Sequence, residues 1–157
     1  MIKKIISGGQ TGADRAALDV AIRFGIAHGG WFPKGRLTEA GPLPEQYLLQ
    51  EMATESYPDR TEKNVLDADG TVIVSHGKPT GGTALTEKLA KEHCKPLLHL
   101  DLLKVSLPYA ARLLQSWLVD NGIRVMNVAG ARASTDPEIY DATVKVLEIA
   151  LQNQRRT

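Results

Sequence analysis

Two glycine-bearing segments carry residue types and spacings suited to holding an anion. The first is Ser7-Gly8-Gly9-Gln10-Thr11-Gly12-Ala13-Asp14. It follows an apolar run, Ile2-Lys3-Lys4-Ile5-Ile6, that reads as a short buried strand. It precedes a helical stripe made by Ala13, Ala16, Ala17, Val20, Ala21 and Phe24. A glycine-rich turn between strand and helix aims backbone N–H groups at the space above the helix N-terminus. The helix dipole makes that space positive, so it suits a phosphate. The second segment, Thr80-Gly81-Gly82-Thr83, also follows a strand and opens a helix. Its glycines let the backbone approach a ligand, and its threonines add hydroxyl donors. Glu87 falls four residues after Thr83 and is expected to face the same cleft. A carboxylate beside a phosphate suits a ribose hydroxyl, a base edge, a metal or proton transfer better than the anion itself.

Charge follows the same pattern. The strand-end loops 7–12, 29–36, 75–83 and 127–134, taken with 57–64, hold Lys34, Arg36, Arg60, Lys63, Lys78 and Arg132. Only Asp59 and Glu62 oppose them, whereas the whole chain carries a net charge of +1. A concave rim with that bias concentrates anions. Gly8, Gly9, Gln10, Thr11 and Gly12 are thus expected to form one cradle, and Thr80, Gly81, Gly82 and Thr83 the other. Lys34, Arg36, Arg60 and Arg132 supply charge. Asp14 reads as a carboxylate complementing the helix dipole. Of the four histidines only His76 lies on a proposed site loop, and it reads as structural or solvated. Trp31 and Phe32 read as core, and Cys94 as a buried small apolar residue. Neither GxGxxG nor GxxxxGK[ST] occurs, so a dinucleotide fingerprint and a P-loop are not supported.

The elements that must position these loops alternate along the chain. After the first strand and helix, 26–31 reads as a strand running into glycines. Residues 32–56 are irregular, with a short helix expected over 46–53. Helices are expected over 61–68, 83–93 and 106–120, and strands over 71–74, 97–100 and 123–128. Ser106 caps the third of these helices, with Pro108 in its first turn. Thr135 and Glu138 have capping-box spacing for a final helix, followed by a polar tail over 152–157 that should fray. Such alternation implies an α/β fold: a Rossmann-like three-layer sandwich, with a mostly parallel sheet and helices on both faces. One domain spanning 1–157 suffices for this length.

Composition narrows the class. Hydrophobic content of 43% and charged content of 24% are those of a globular protein. The near-neutral net charge argues against general nucleic-acid binding. No apolar run reaches the roughly 18 residues of a membrane helix. The first residues lead straight into a strand, so no signal peptide is expected. A single cysteine excludes an internal disulfide and a multi-cysteine metal site. A cytoplasmic protein with no metal site of its own is expected.

Several stretches together resemble a known family. Ile6-Ser7-Gly8-Gly9-Gln10-Thr11-Gly12-Ala13-Asp14-Arg15-Ala16-Ala17-Leu18-Asp19 is similar to the opening of the molybdenum carrier family. The match continues through Gly30-Trp31-Phe32-Pro33-Lys34-Gly35-Arg36 and Tyr57-Pro58-Asp59-Arg60-Thr61-Glu62-Lys63-Asn64-Val65. It ends with Thr80-Gly81-Gly82-Thr83 and Asn127-Val128-Ala129-Gly130-Ala131-Arg132. The resemblance implies a Rossmann-like homo-oligomer, a dimer or tetramer, that binds molybdenum cofactor and hands it on. That cofactor is a pterin with a terminal phosphate. The wider group includes the lysine-decarboxylase-like, or LOG, phosphoribohydrolases, which split the N-glycosidic bond of nucleoside monophosphates. Gly81-Gly82-Thr83 and Glu87 resemble part of their Pro-Gly-Gly-x-Gly-Thr-x-x-Glu loop, and Arg60 resembles their arginine. Thr80 replaces the leading proline, and the Thr-to-Glu spacing is four rather than three. If the chain is an enzyme, this resemblance makes Glu87 and Arg60 the catalytic pair. A nucleotide-sensing module is a third reading.

Overall fold

The computed structural model describes residues 1–154. The end of the polar tail, 155–157, where fraying was expected, lies outside the described residues. The first half of the chain contains β1 (Lys4–Ile6), α1 (Ala13–Phe24), β2 (Ala27–Gly29) and β3 (Trp31–Phe32). The short strands β4 (Leu37–Thr38), β5 (Gly41–Pro42) and β6 (Gln50–Glu51) precede α2 (Tyr57–Asp67). The second half alternates regularly: β7 (Gly70–Ser75), α3 (Gly81–Glu92), β8 (Leu97–Asp101), α4 (Leu107–Asp120), β9 (Val125–Gly130) and α5 (Ile139–Leu151).

Five strands form one parallel sheet in the order β2-β1-β9-β7-β8. All six residues of β7 are buried, because a parallel strand is covered on both faces. Val72, Val74, Met126 and Val128 meet α1, α4 and α5 in the main core. Val65 of α2 packs with Leu89 and Ala90 of α3 in a separate cluster with Leu97. The expected three-layer α/β architecture is therefore present. Ile2 N–H donates to Gln154 Oε1 at 2.7 Å, which brings the two ends of the described chain together beneath the sheet.

Counted over the central sheet alone, the strand order is 2-1-5-3-4. Counting from β9 instead turns it into 3-2-1-4-5, the beginning of the doubly wound order. The order reverses between β9 and β7. A ligand cleft is expected above the carboxyl ends of those two strands.

The structure differs from the sequence pattern at three elements. Residues 46–53 form no helix. Leu43, Tyr47 and Leu49 instead reach into a small core with Leu18 and Phe32. Trp31–Phe32 offers a free strand edge, and β6 satisfies it: Gln50 N–H donates to Gly30 O at 2.9 Å and Met52 N–H to Phe32 O at 2.8 Å. Helix α2 starts earlier than expected because Ser56 accepts a hydrogen bond from Asp59 N–H, with Pro58 in the first turn. Helix α5 starts later, at Ile139, and the Thr135–Glu138 capping box does not form. Asp136 takes that work, accepting from Glu138 N–H at 3.1 Å. Cys94, expected to be buried, is exposed.

Gly12 joins the first strand-end loop to the last. Its φ of +83° suits glycine, and a Cβ there would lie 2.3 Å from the Ala131 carbonyl oxygen. That carbonyl accepts from Ala13 N–H at 3.2 Å. Gly12→Ala should cost about 3 kcal/mol, from the strained backbone plus the clash. Urea denaturation of the variant measures this loss.

Candidate functional site

A cavity of about 480 Å³ opens where the sheet order reverses, a volume suited to a small-molecule ligand. It brings together Gly8, Gln10 and Arg60 from one side with Arg132 from the loop after β9. Thr80, Gly81, Gly82 and Thr83 close the other side. Not every expected residue reaches it. Gly9, Thr11 and Gly12 do not line it. Lys34 is exposed elsewhere, and Arg36 lies over the Phe32 ring while donating to Leu43 O at 3.3 Å. Glu87 does not line the cavity either. It pairs along its own helix with Lys91 at 3.9 Å, and Thr86 takes the inward position.

The two glycine loops differ in their free donors. In the first, Gly9 N–H donates to Ser7 Oγ at 3.3 Å, and Thr11 N–H to Gln10 Oε1 at 3.0 Å. Gln10 N–H donates to Asp14 Oδ2 at 3.4 Å. Three of the loop's N–H groups are thus taken by its own side chains, with the Asp14 carboxylate as an internal anion. Thr11 is engaged as well. Its hydroxyl donates to Glu39, at the tip of the β4–β5 hairpin, and accepts from Ala133 N–H at 3.1 Å. Glu39 also accepts from Ser134 N–H at 3.1 Å. The Ser134 hydroxyl donates to Glu39 too, and these hydrogen bonds, that one first, hold the Glu39 carboxyl below its usual range.

The second loop is open. Thr83 N–H and Ala84 N–H both return to Thr80 O, at 3.1 and 3.3 Å. The N–H groups of Gly81 and Gly82 precede any intrahelical acceptor. A Cβ at either glycine would meet nothing within 4 Å. The first turn of α3 therefore presents its positive end to the cavity.

Arg60 is the central charge. Its guanidinium lies so close over Gly8 that a Cβ there would sit 1.5 Å from Nη1. The side chain is only 14% exposed, and its Nε is buried without a hydrogen-bond partner. Asp14 approaches Nη1 only to 3.9 Å, which balances charge without using the donors. Burial lowers the Arg60 pKa, and Asp14 opposes that shift. Burial also dominates at Asp14, lifting it from 3.8 to about 6 against the attraction of Arg60.

The basic excess expected of the loops does not carry into the cavity. Arg60, Lys78 and Arg132 are matched there by Asp14, Asp136 and Glu138. What the cavity offers is donors without partners rather than a net positive charge. Among the described residues, no group of three or more His, Cys, Asp or Glu side chains could hold a metal ion. No helix among them is long and apolar enough to cross a membrane.

Sequence reasoning assigned no site role to His76, Asp136 or Asp14, yet all three line the cavity. His76 Nδ1 lies 2.6 Å from Asp136 Oδ2. The partners are 60 positions apart, so no local spacing signals their meeting.

The fold and cleft together define a Rossmann-like ligand-binding domain whose strand order is rotated along the chain. The circularly permutated YpsA SLOG family model matches residues 5–151, and the chain belongs to that family. Its fold is also that of a crystal structure called "Putative molybdenum carrier protein" from Syntrophus aciditrophicus SB, with a TM-score of 0.94. The two sequences are 61% identical, over 96% of this chain and 95% of that one. No curated protein matches the sequence.

Asp14 generates a pH prediction. Its folded-state pKa is raised, so the native protein holds that proton more tightly than the unfolded chain. The resulting stability is full below about pH 4 and is lost as pH rises through about 6, roughly 3 kcal/mol in all. Asp14→Asn should flatten the decline between those values. Urea denaturation at stepped pH tests it.

Proposed function

We propose that the cavity binds a small ligand through a phosphate group, with molybdenum cofactor as the leading candidate and carriage or storage as the role. The observation that carries this is Arg60, a covered guanidinium that lines the cavity with the open N-terminus of α3 and comes no nearer to an acceptor than 3.9 Å, at Asp14. The guanidinium nitrogens that reach the cavity are free to donate to a ligand anion, and a charged hydrogen bond of that kind is among the stronger ones. The cofactor's terminal phosphate suits Arg60, Arg132 and the Gly81 and Gly82 N–H groups. The cavity volume suits its pterin. The name of the Syntrophus protein supports the same candidate.

The N-glycosidase reading is weaker because its acid, Glu87, pairs with Lys91 outside the cavity. The proposal also includes a cytoplasmic homo-oligomer, a dimer or tetramer, which light scattering tests.

Calorimetric titration with molybdenum cofactor, and with AMP as a simpler phosphate ester, should show saturable binding. Arg60→Ala should weaken it roughly 10- to 100-fold, the worth of a charged hydrogen bond. Arg132→Ala should weaken it less, because that side chain is exposed. Gly8→Ala should keep the fold yet push the guanidinium aside, and so weaken binding as Arg60→Ala does. Unchanged affinity in all three variants would sink the site assignment.

A further inference from the structure

We infer that this cavity also cleaves phosphate esters, with His76 as the proton acceptor and Asp136 as the residue that orients it. The inference rests on the phosphate-binding part of the reading above and not on carriage or storage, since turnover removes the phosphate from an ester the site holds.

A carboxylate only accepts hydrogen bonds. The 2.6 Å contact with Asp136 therefore fixes a proton on His76 Nδ1, and the neutral ring carries its lone pair on Nε2. Nε2 has no hydrogen-bond partner among the described residues. Asp136 is itself held, since its other oxygen accepts from Glu138 N–H at 3.1 Å. A base oriented by a fixed carboxylate is the arrangement that general-base chemistry uses.

The backbone beneath His76 is held from both sides. Gly77 N–H donates to Asp101 Oδ1 at 2.8 Å, which also accepts from Leu103 N–H at 3.0 Å. Ser75 Oγ lies 2.6 Å from both Gly77 O and His99 Nε2. One hydroxyl has one proton, and a carbonyl can only accept. Ser75 therefore donates to Gly77 O, and His99 donates from Nε2 to Ser75. Ser75 is not poised as a nucleophile, nor His99 as its base. Both stiffen the turn that carries His76.

Position completes the argument. His76 lines the ligand cavity and also a second cavity of about 480 Å³, bounded by Leu102, Val105, Ser106, Leu107 and Pro137. His76 thus borders both the second cavity and the one that Arg60 and the α3 N-terminus line. Water entering there bonds through its oxygen to phosphorus while His76 Nε2 takes one of its protons. The bond between phosphorus and the ester oxygen breaks with its electron pair on that oxygen. The leaving alcohol takes a proton from solvent, and His76 later returns its own. The products are the alcohol and inorganic phosphate. Arg60 balances the charge on the phosphoryl oxygens.

The test is release of inorganic phosphate from AMP and from p-nitrophenyl phosphate by the full chain, beside calorimetric binding of AMP. His76→Gln and His76→Ala should lower kcat roughly 10²- to 10⁴-fold, the worth of general-base catalysis. KM for AMP should stay within about threefold. Added imidazole should restore part of the activity of His76→Ala, which a merely misfolded variant would not show. Asp136→Asn should lower kcat with little change in KM. Binding of AMP without phosphate release, or release that survives in both His76 variants, overturns the inference and leaves the binding proposal standing. Adenine and ribose 5-phosphate as products overturn it in favour of glycosidic cleavage. Failure to bind AMP or molybdenum cofactor overturns both proposals.

Discussion

The arrangement of the site depends on a guanidinium that the fold covers but does not satisfy. Arg60 lies on the backbone of Gly8, with Asp14 3.9 Å away. That distance is long for a hydrogen bond and short enough for charge balance. A closer, bidentate pairing would leave a stable internal salt bridge and little for a ligand to find. The looser pairing keeps the donors available, while burial of Asp14 raises its pKa to about 6. Gly8 must lack a side chain for Arg60 to lie there, and Gly12 must lack one for the last loop to approach the first. The glycines of the opening motif therefore serve packing between loops as much as contact with a ligand.

This changes the meaning of the first glycine loop. It has the sequence of an anion cradle, but Ser7, Gln10 and Asp14 already accept its N–H groups. The acceptors for the Gly9, Gln10 and Thr11 N–H groups are encoded within the motif, so most of the loop is occupied without a ligand. The loop before α3 has no such internal acceptor. The two segments look alike when read as glycines between a strand and a helix, and their side chains distinguish them.

Much of the architecture was legible because it rests on local patterns. The continuous apolar run of β7, the stripe of α1 and the Ser106 cap each announce their element. That Arg132 and Thr80–Thr83 line one cavity was legible because strand-end loops in such sheets converge, while Arg60 reaches it from α2. Other features depend on partners far away in sequence. β6 pairs with β3, so residues 46–53 give up a helix for a strand edge that only the fold supplies. Glu87 was placed one helical turn from Thr83, but Thr86 occupies the inward face and Glu87 turns to Lys91. His76 and Asp136 meet because β7 and β9 are neighbours in the sheet, a fact that no window of sequence contains.

The contact between Ile2 and Gln154 has a consequence for engineering. It lies beneath the sheet, across from the cleft, since β1 runs toward the cleft and α5 runs away from it. A tether between these ends, with the backbone opened at the Asn121-Gly122 turn, would thread the strands in the unrotated order. None of the residues around the cavity would lie at the new junction or the new opening. The same sheet can thus be written from two starting points, and a ligand entering from above would meet the same surface in either case.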